Sequence, residues 1–179
     1  MERDVKSILV SEEELKQICK RLGEQITRDY QGKKLLVVSV LKGAVVFMGD
    51  LIREIKCDCI IDFIAVSSYS GTKTTGVVKF KKDLDIDPDG MDILIVEDIL
   101  DSGVTLSYLS NVLMGRNAKS IKICTLLDKP ANRKADITAD YVGKTIPDEF
   151  VIGYGLDYNE KYRNLPYVGI LDPSVYGGE

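Results

Sequence analysis

Ile93-Leu94-Ile95-Val96-Glu97-Asp98-Ile99-Leu100-Asp101-Ser102-Gly103-Val104-Thr105 is the stretch from which the rest of the chain can be read. Its leading run of Ile, Leu, Ile and Val predicts a strand buried on both faces. Two carboxylates follow at once, where such a strand surfaces at its carboxyl end. After the polar turn, Leu106, Leu109, Val112 and Leu113 fall at helical spacing. The order is therefore strand, acidic edge, short loop, helix, and ligands of open α/β sheets bind at that edge. The loop suits a phosphate. Gly103 lets the backbone approach closely, the helix start offers unpaired N–H groups, and Ser102 and Thr105 add hydroxyls. The acids suit a metal, a sugar diol or a proton.

The same logic repeats outward. Leu35 to Leu41 predicts a second buried strand, followed by a Lys42-Gly43 turn and a helix to about Ile55 with Val45, Met48 and Ile52 on its buried side. Taken alone, that turn is as readily an ordinary connection with a solvated lysine. Cys59 to Val66 reads as a third strand, and Val77 to Lys81 as its return. The small, polar stretch between them reads as a loop. Ser120 to Leu127 is another buried strand, ending in Asp128-Lys129-Pro130. Tyr141 to Ile146, Phe150 to Gly155 and Tyr167 to Leu171 are short extended segments. Upstream, Ser11 and Glu14 form a capping box. Leu15, Ile18, Cys19, Leu22 and Ile26 trace one helical face as far as Gly32. The pattern predicts an α/β fold with a central, mostly parallel sheet flanked by helices. The 179 residues read as one domain, with a core over about 35–130 and a small lobe built from the amino-terminal segment and about 140–179.

Composition narrows the chemistry. Lys plus Arg number 24 against 28 Asp plus Glu, a net charge of −4 and a pI near 5.0, so no broad basic field invites nucleic acid. No apolar run approaches the ~20 residues of a membrane span, and Met1 to Lys6 lacks a signal core, so a cytoplasmic protein is expected. The four cysteines, Cys19, Cys57, Cys59 and Cys124, read as reduced, buried thiols. There is no histidine, which rules out Ser-His-Asp and Cys-His mechanisms and leaves acid–base work to carboxylates, Lys or Tyr.

Val96-Glu97-Asp98-Ile99-Leu100-Asp101-Ser102-Gly103-Val104-Thr105-Leu106 closely resembles the phosphoribosyl-pyrophosphate signature of the type I phosphoribosyltransferases, in the form of their hypoxanthine-guanine branch. Further stretches carry the same resemblance. Leu41-Lys42-Gly43-Ala44 is similar to the family's pyrophosphate loop, whose Leu-Lys peptide is typically cis. Ser68-Tyr69 resembles the flexible loop that closes over the reacting centre. Leu126-Leu127-Asp128-Lys129-Pro130 resembles the segment whose lysine reads the purine 6-oxygen. Phe150-Val151-Ile152-Gly153-Tyr154-Gly155-Leu156-Asp157-Tyr158 resembles the base-binding hood, where the aromatic stacks on the purine and the next residue meets it through its backbone. Arg163 matches the arginine that holds pyrophosphate. Without the family, Phe150 would be taken as plain core and Arg163 as a surface charge.

The resemblance implies a purine-salvage activity: the base hypoxanthine or guanine and phosphoribosyl pyrophosphate give IMP or GMP and pyrophosphate. It implies Asp101 as the catalytic base. Lys42, Gly43 and Arg163 would hold pyrophosphate, and Glu97, Asp98, Asp101, Ser102, Gly103, Val104 and Thr105 would hold ribose 5-phosphate. Lys129, Phe150, Val151 and Asp157 would hold the purine. It further implies Mg²⁺ near Glu97, Asp98 and Asp157, and a homodimer or homotetramer. Val104 stands where some relatives carry a cation, so the phosphate would rely on backbone N–H groups, Ser102 and Thr105.

Other readings fit less well. A P-loop needs G-x-x-x-x-G-K-[ST], and no such stretch exists here. Gly153-Tyr154-Gly155 lacks the third glycine of a dinucleotide fingerprint. An RNA-binding regulator on the same fold is disfavoured by the acidic pI, and a filter-binding assay with cellular RNA separates the two.

Overall fold

The computed structural model describes residues 1–68 and 78–176. A short strand β1 (Val5–Val10) leads into helix α1 (Glu12–Tyr30), whose first turn is capped by Ser11, its hydroxyl accepting from Glu14 N–H at 3.2 Å. Strand β2 (Leu35–Leu41) and helix α2 (Val45–Glu54) follow, then β3 (Cys59–Ser68), β4 (Val78–Lys82) and β5 (Asp92–Leu100). Helix α3 (Val104–Met114), β6 (Ser120–Asp128), β7 (Tyr141–Thr145), β8 (Val151–Ile152), β9 (Val168–Leu171) and a terminal turn of helix α4 (Pro173–Tyr176) complete the order.

The main sheet runs β4-β3-β2-β5-β6-β7, and every pairing in it is parallel except β3 with β4. Side-chain alternation sorts its strands into two apolar layers. Leu35, Val37, Leu94, Val96, Cys124 and Leu126 face α1 and α2, while Leu36, Val38, Ile93, Ile95 and Ile123 face α3. Both layers are buried, as expected of central strands in a doubly covered sheet. Truncating Leu94 to Ala would cost ~2–5 kcal/mol. All the parallel strands surface together at their carboxyl ends, which fixes where a site can form.

The second sheet, β1-β9-β8, is antiparallel and packs its own cluster of Ile152, Tyr162, Leu165 and Leu171. It forms a hood over the carboxyl edge. The Tyr154 hydroxyl donates to Asp50 of α2 at 2.5 Å, and Lys144 of β7 donates to the Leu9 carbonyl of β1 at 3.3 Å. Gly155 lies so close to the Gly43 carbonyl that a Cβ would overlap it.

Two expectations change. On α2 the buried face is Phe47, Met48 and Leu51, while Val45 is exposed and Ile52 only half-buried. The helix is apolar nearly all round, so its periodicity does not say which side the sheet covers. The segment expected to be extended from Phe150 to Gly155 is a strand only at Val151–Ile152, because Gly153, Tyr154 and Gly155 all take positive φ. The four cysteines are free thiols, with Cys19 and Cys124 buried and Cys57 and Cys59 half-buried. Among the described residues no helix is long and apolar enough to cross a membrane.

Candidate active site

Strand β5 ends in the two acids. Glu97 and Asp98 are half-buried neighbours, with Asp98 N–H donating to Glu97 Oε1 at 3.2 Å and Ile99 N–H to Asp98 Oδ1 at 2.7 Å. Burial first, and then the adjacent Asp98 charge, push the Glu97 carboxyl well above its usual range. Burial also raises Asp98, opposed by its hydrogen bonds and by the charge of Arg163. The Lys42-Gly43 turn lies directly on this pair, and a Cβ at Gly43 would overlap the Asp98 carboxylate. The Leu41–Lys42 peptide is cis.

The loop that follows is a cradle. Gly103 caps α3 in the left-handed region at φ 78°, and a Cβ there would press on Ile137 and Arg133. Ser102 Oγ accepts weakly from Val104 N–H at 3.4 Å. A cavity of about 190 Å³ is lined by Glu97, Asp101, Ser102, Gly103 and Thr105. It offers the first N–H groups of α3 to an anion, with carboxylates at the other wall.

A second cavity of about 140 Å³ shares Ile99 with the first and is lined by Lys129, Phe150, Val151 and Asp157. Lys129, 8% exposed, is held 3.1 Å from Asp148 Oδ1 and donates to the Glu149 carbonyl at 3.3 Å. Its Nζ stands 4.0 Å from Asp101 Oδ2, while Asp101 Oδ1 is buried with no hydrogen-bond partner among the described residues. Phe150 is not core: it is 40% exposed, stacked on Tyr176 at 5.3 Å and met edge-on by Tyr158 at 5.6 Å. Val151 is buried on β8.

The cations gather at the hood side. Arg163 donates to the Gly155 carbonyl at 2.7 Å and pairs with Asp157 at 2.8 Å. Lys42 pairs with Glu160 at 2.9 Å. The ion pairs thus go to Asp101, Asp148, Asp157 and Glu160, leaving Glu97 and Asp98 without one among the described residues. Of the three acids expected to surround Mg²⁺, the structure brings Glu97 and Asp98 together but ties Asp157 to Arg163. Among the described residues no three Asp, Glu or Cys side chains form a ready metal-binding group. Two crowded acids without an ion pair among the described residues nevertheless suit a divalent cation, which would offset both the burial and the mutual repulsion that raise Glu97. Of the flexible-loop residues, Ser68 ends β3, and Tyr69 lies outside the described residues.

Arg133 was not foreseen. Its guanidinium donates to the carbonyls of Asp101 at 3.0 Å and Ile137 at 2.8 Å and pairs with Asp128, while Ser102 O accepts from Lys134 N–H and Ala135 N–H. These bonds pin the backbone of the loop from Asp101 to Gly103. The only sequence signal was an acid, Asp128, a few residues before a lone arginine. A larger hollow of about 570 Å³ lies at the opposite, amino ends of β2 and β3, beside Lys33, Cys59 and Ile60, away from these groups.

A model of the phosphoribosyl transferase domain matches residues 6–159. The hypoxanthine-guanine phosphoribosyltransferase of Staphylococcus aureus (strain Mu50) is 55% identical over 177 residues, 98% of this chain and 99% of its own length. That of Bacillus subtilis (strain 168) is 56% identical over 177 residues, 98% of each. A crystal structure of a hypoxanthine phosphoribosyltransferase from S. aureus superposes with a TM-score of 0.95 at 55% identity, covering 98% of this chain and 96% of the other.

Proposed function

The chain belongs to the phosphoribosyltransferase family, and on that premise we propose that it transfers the 5-phosphoribosyl group from phosphoribosyl pyrophosphate to hypoxanthine or guanine, releasing pyrophosphate. The observation that carries this reading is the pair of adjoining cavities, one a phosphate cradle walled by acids and one a flat slot between Lys129 and Phe150. They share Ile99, so a base in the slot would face a ribose over the cradle.

The 5′-phosphate sits on the N–H groups at the start of α3, with Ser102 and Thr105 donating hydroxyls. Lys42, the backbone at Gly43 and Arg163 hold the pyrophosphate and take up the negative charge that grows on it as its bond to C1 of the ribose breaks. Glu97 and Asp98 lie beneath the ribose and offset positive charge developing on its ring. N9 of the base bonds to C1, and the proton on N7 passes to Asp101, whose buried Oδ1 has no other partner among the described residues. Lys129 donates to the 6-oxygen, and Phe150 stacks on the ring, backed by Tyr176. Glu97 and Asp98, with Asp157 at a distance, are the residues to hold Mg²⁺, which would neutralise pyrophosphate and anchor the ribose diol.

We further propose one domain and a homodimer or homotetramer, supported by exposed Val45, Val46, Ile60 and Ile61. The test of the activity is pyrophosphate release with hypoxanthine, guanine, xanthine, adenine and uracil, each with and without Mg²⁺. Release with the 6-oxopurines and Mg²⁺ is expected. Equal release with adenine, or none with any base, overturns the assignment.

A further inference from the structure

Lys42 and Arg163 reach the site from turns far apart in sequence, yet they converge on a single atom. Glu160 Oε2 lies 2.9 Å from Lys42 Nζ and 3.4 Å from Arg163 Nη2. The carboxylate is aimed by the backbone. Asn159 and Glu160 both take left-handed φ, at 51° and 62°. Glu160 N–H donates to Asp157 Oδ2 at 2.9 Å, and Tyr158 and Lys161 exchange backbone hydrogen bonds across the turn. Positive φ at both central residues is what a two-residue hairpin turn requires, so the turn itself fixes where the Glu160 side chain leaves the main chain. The two cations hold the Glu160 carboxyl below the usual carboxylate range, Lys42 more strongly than Arg163.

We propose that Glu160 is a resident counter-anion of the pyrophosphate subsite: its carboxylate neutralises Lys42 and Arg163 while the subsite is empty and must leave for pyrophosphate to bind. The inference rests on the assignment of those two cations to pyrophosphate. One oxygen of Glu160 takes the place a pyrophosphate oxygen would take between them. The side chain is 65% exposed, with solvent open for its departure. Exposed ion pairs hold weakly, so the carboxylate competes without blocking. Its effect is to lower affinity for pyrophosphate and to return to the cations as the product leaves. A carboxylate that instead held Lys42 and Arg163 in position for the ligand would have the opposite effect on affinity.

The sign of one substitution separates these roles. Binding of magnesium pyrophosphate to the full chain is measured by calorimetry for wild type, Glu160→Gln and Glu160→Ala, together with binding of IMP as a reference for the purine and phosphate subsites. Both variants should bind pyrophosphate about 2- to 5-fold more tightly, the scale of an exposed charge pair, with a steeper loss of affinity as salt is raised. IMP affinity should stay within about twofold. Unchanged or weaker pyrophosphate binding in both variants overturns the proposal. A wild-type protein that binds IMP but no pyrophosphate would instead remove the assignment of Lys42 and Arg163 on which it rests.

Discussion

The carboxyl edge of β5 and the hood line adjoining cavities but are made in different ways. The edge is the end of a long strand buried on both faces, and its functional residues from Glu97 to Thr105 are nearly contiguous. The hood has a two-residue strand, turns with Gly153, Tyr154, Gly155, Asn159, Glu160 and Tyr162 at positive φ, and side-chain bonds to distant elements. The edge is positioned by the sheet, and the proposed function gives it the groups that act on the reacting bonds. The hood is positioned by individual hydrogen bonds and close glycine approaches, and the proposed function gives it groups that choose and release ligands. Damage to the first should appear in turnover. Damage to the second should appear in affinity and selectivity.

The sharpest break is removal of the metal. Excess EDTA should abolish activity, because the crowded pair of Glu97 and Asp98 has no cation of its own among the described residues. Zinc should not be required. Full activity in EDTA would mean that the acids act unaided. Next is Asp101→Asn, which keeps the shape but cannot take a proton. Turnover should fall by ~10²–10⁴-fold with little change in binding of hypoxanthine. A near-wild-type rate would move the base elsewhere.

Facing the hood from the end of β6, Lys129 offers donors only, so it favours a 6-oxygen over a 6-amino group, with hypoxanthine preferred to adenine by at least ~10²-fold. Lys129→Gln presents both donor and acceptor and should narrow that gap by about tenfold, since a charged hydrogen bond contributes ~1.5–3 kcal/mol. Phe150→Leu should weaken both bases alike and leave the ratio unchanged. The readout is kcat/KM for both bases in both variants, and an unchanged ratio in Lys129→Gln would remove Lys129 as selector. The smallest effect is expected of Tyr154→Phe, which loses the bond to Asp50 and with it ~1 kcal/mol. That should lower Tm by about 2–4 °C and raise KM for the base a few-fold while kcat stays level. A fall in kcat alone would blur the division between edge and hood.

The same contrast explains what could be read from the residues. The β5–α3 stretch declares itself because strand, acids, glycine and helix start are neighbours in the chain. Lys129 and Arg163 carry no such context, and only likeness to a family singled them out. Arg133 and Tyr154 were missed because their partners lie far away: Arg133 bonds Asp101, 32 residues back, and Tyr154 bonds Asp50, 104 residues back. Strand β1 was missed since Lys6, Ser7 and Ile8 are exposed, leaving an edge segment with little apolar alternation. On α2, Val45 and Ile52 were as plausible a buried face as Phe47 and Leu51 until the position of the sheet was known.

The contact of Gly155 with Gly43 has one further consequence. Two bare main chains meet there with nothing compressible between them, and Gly43 is pressed on its other side by Asp98. In a saturation-mutagenesis screen scored by growth on purine bases, these two positions should therefore tolerate as little as the acids do. A statistical ranking of such data would place them among the chemical groups, although neither has a side chain to contribute. Reversion should come through the opposing backbone: a defect at one glycine should be relieved by shortening or shifting the other turn, and not by changing any residue that touches a ligand.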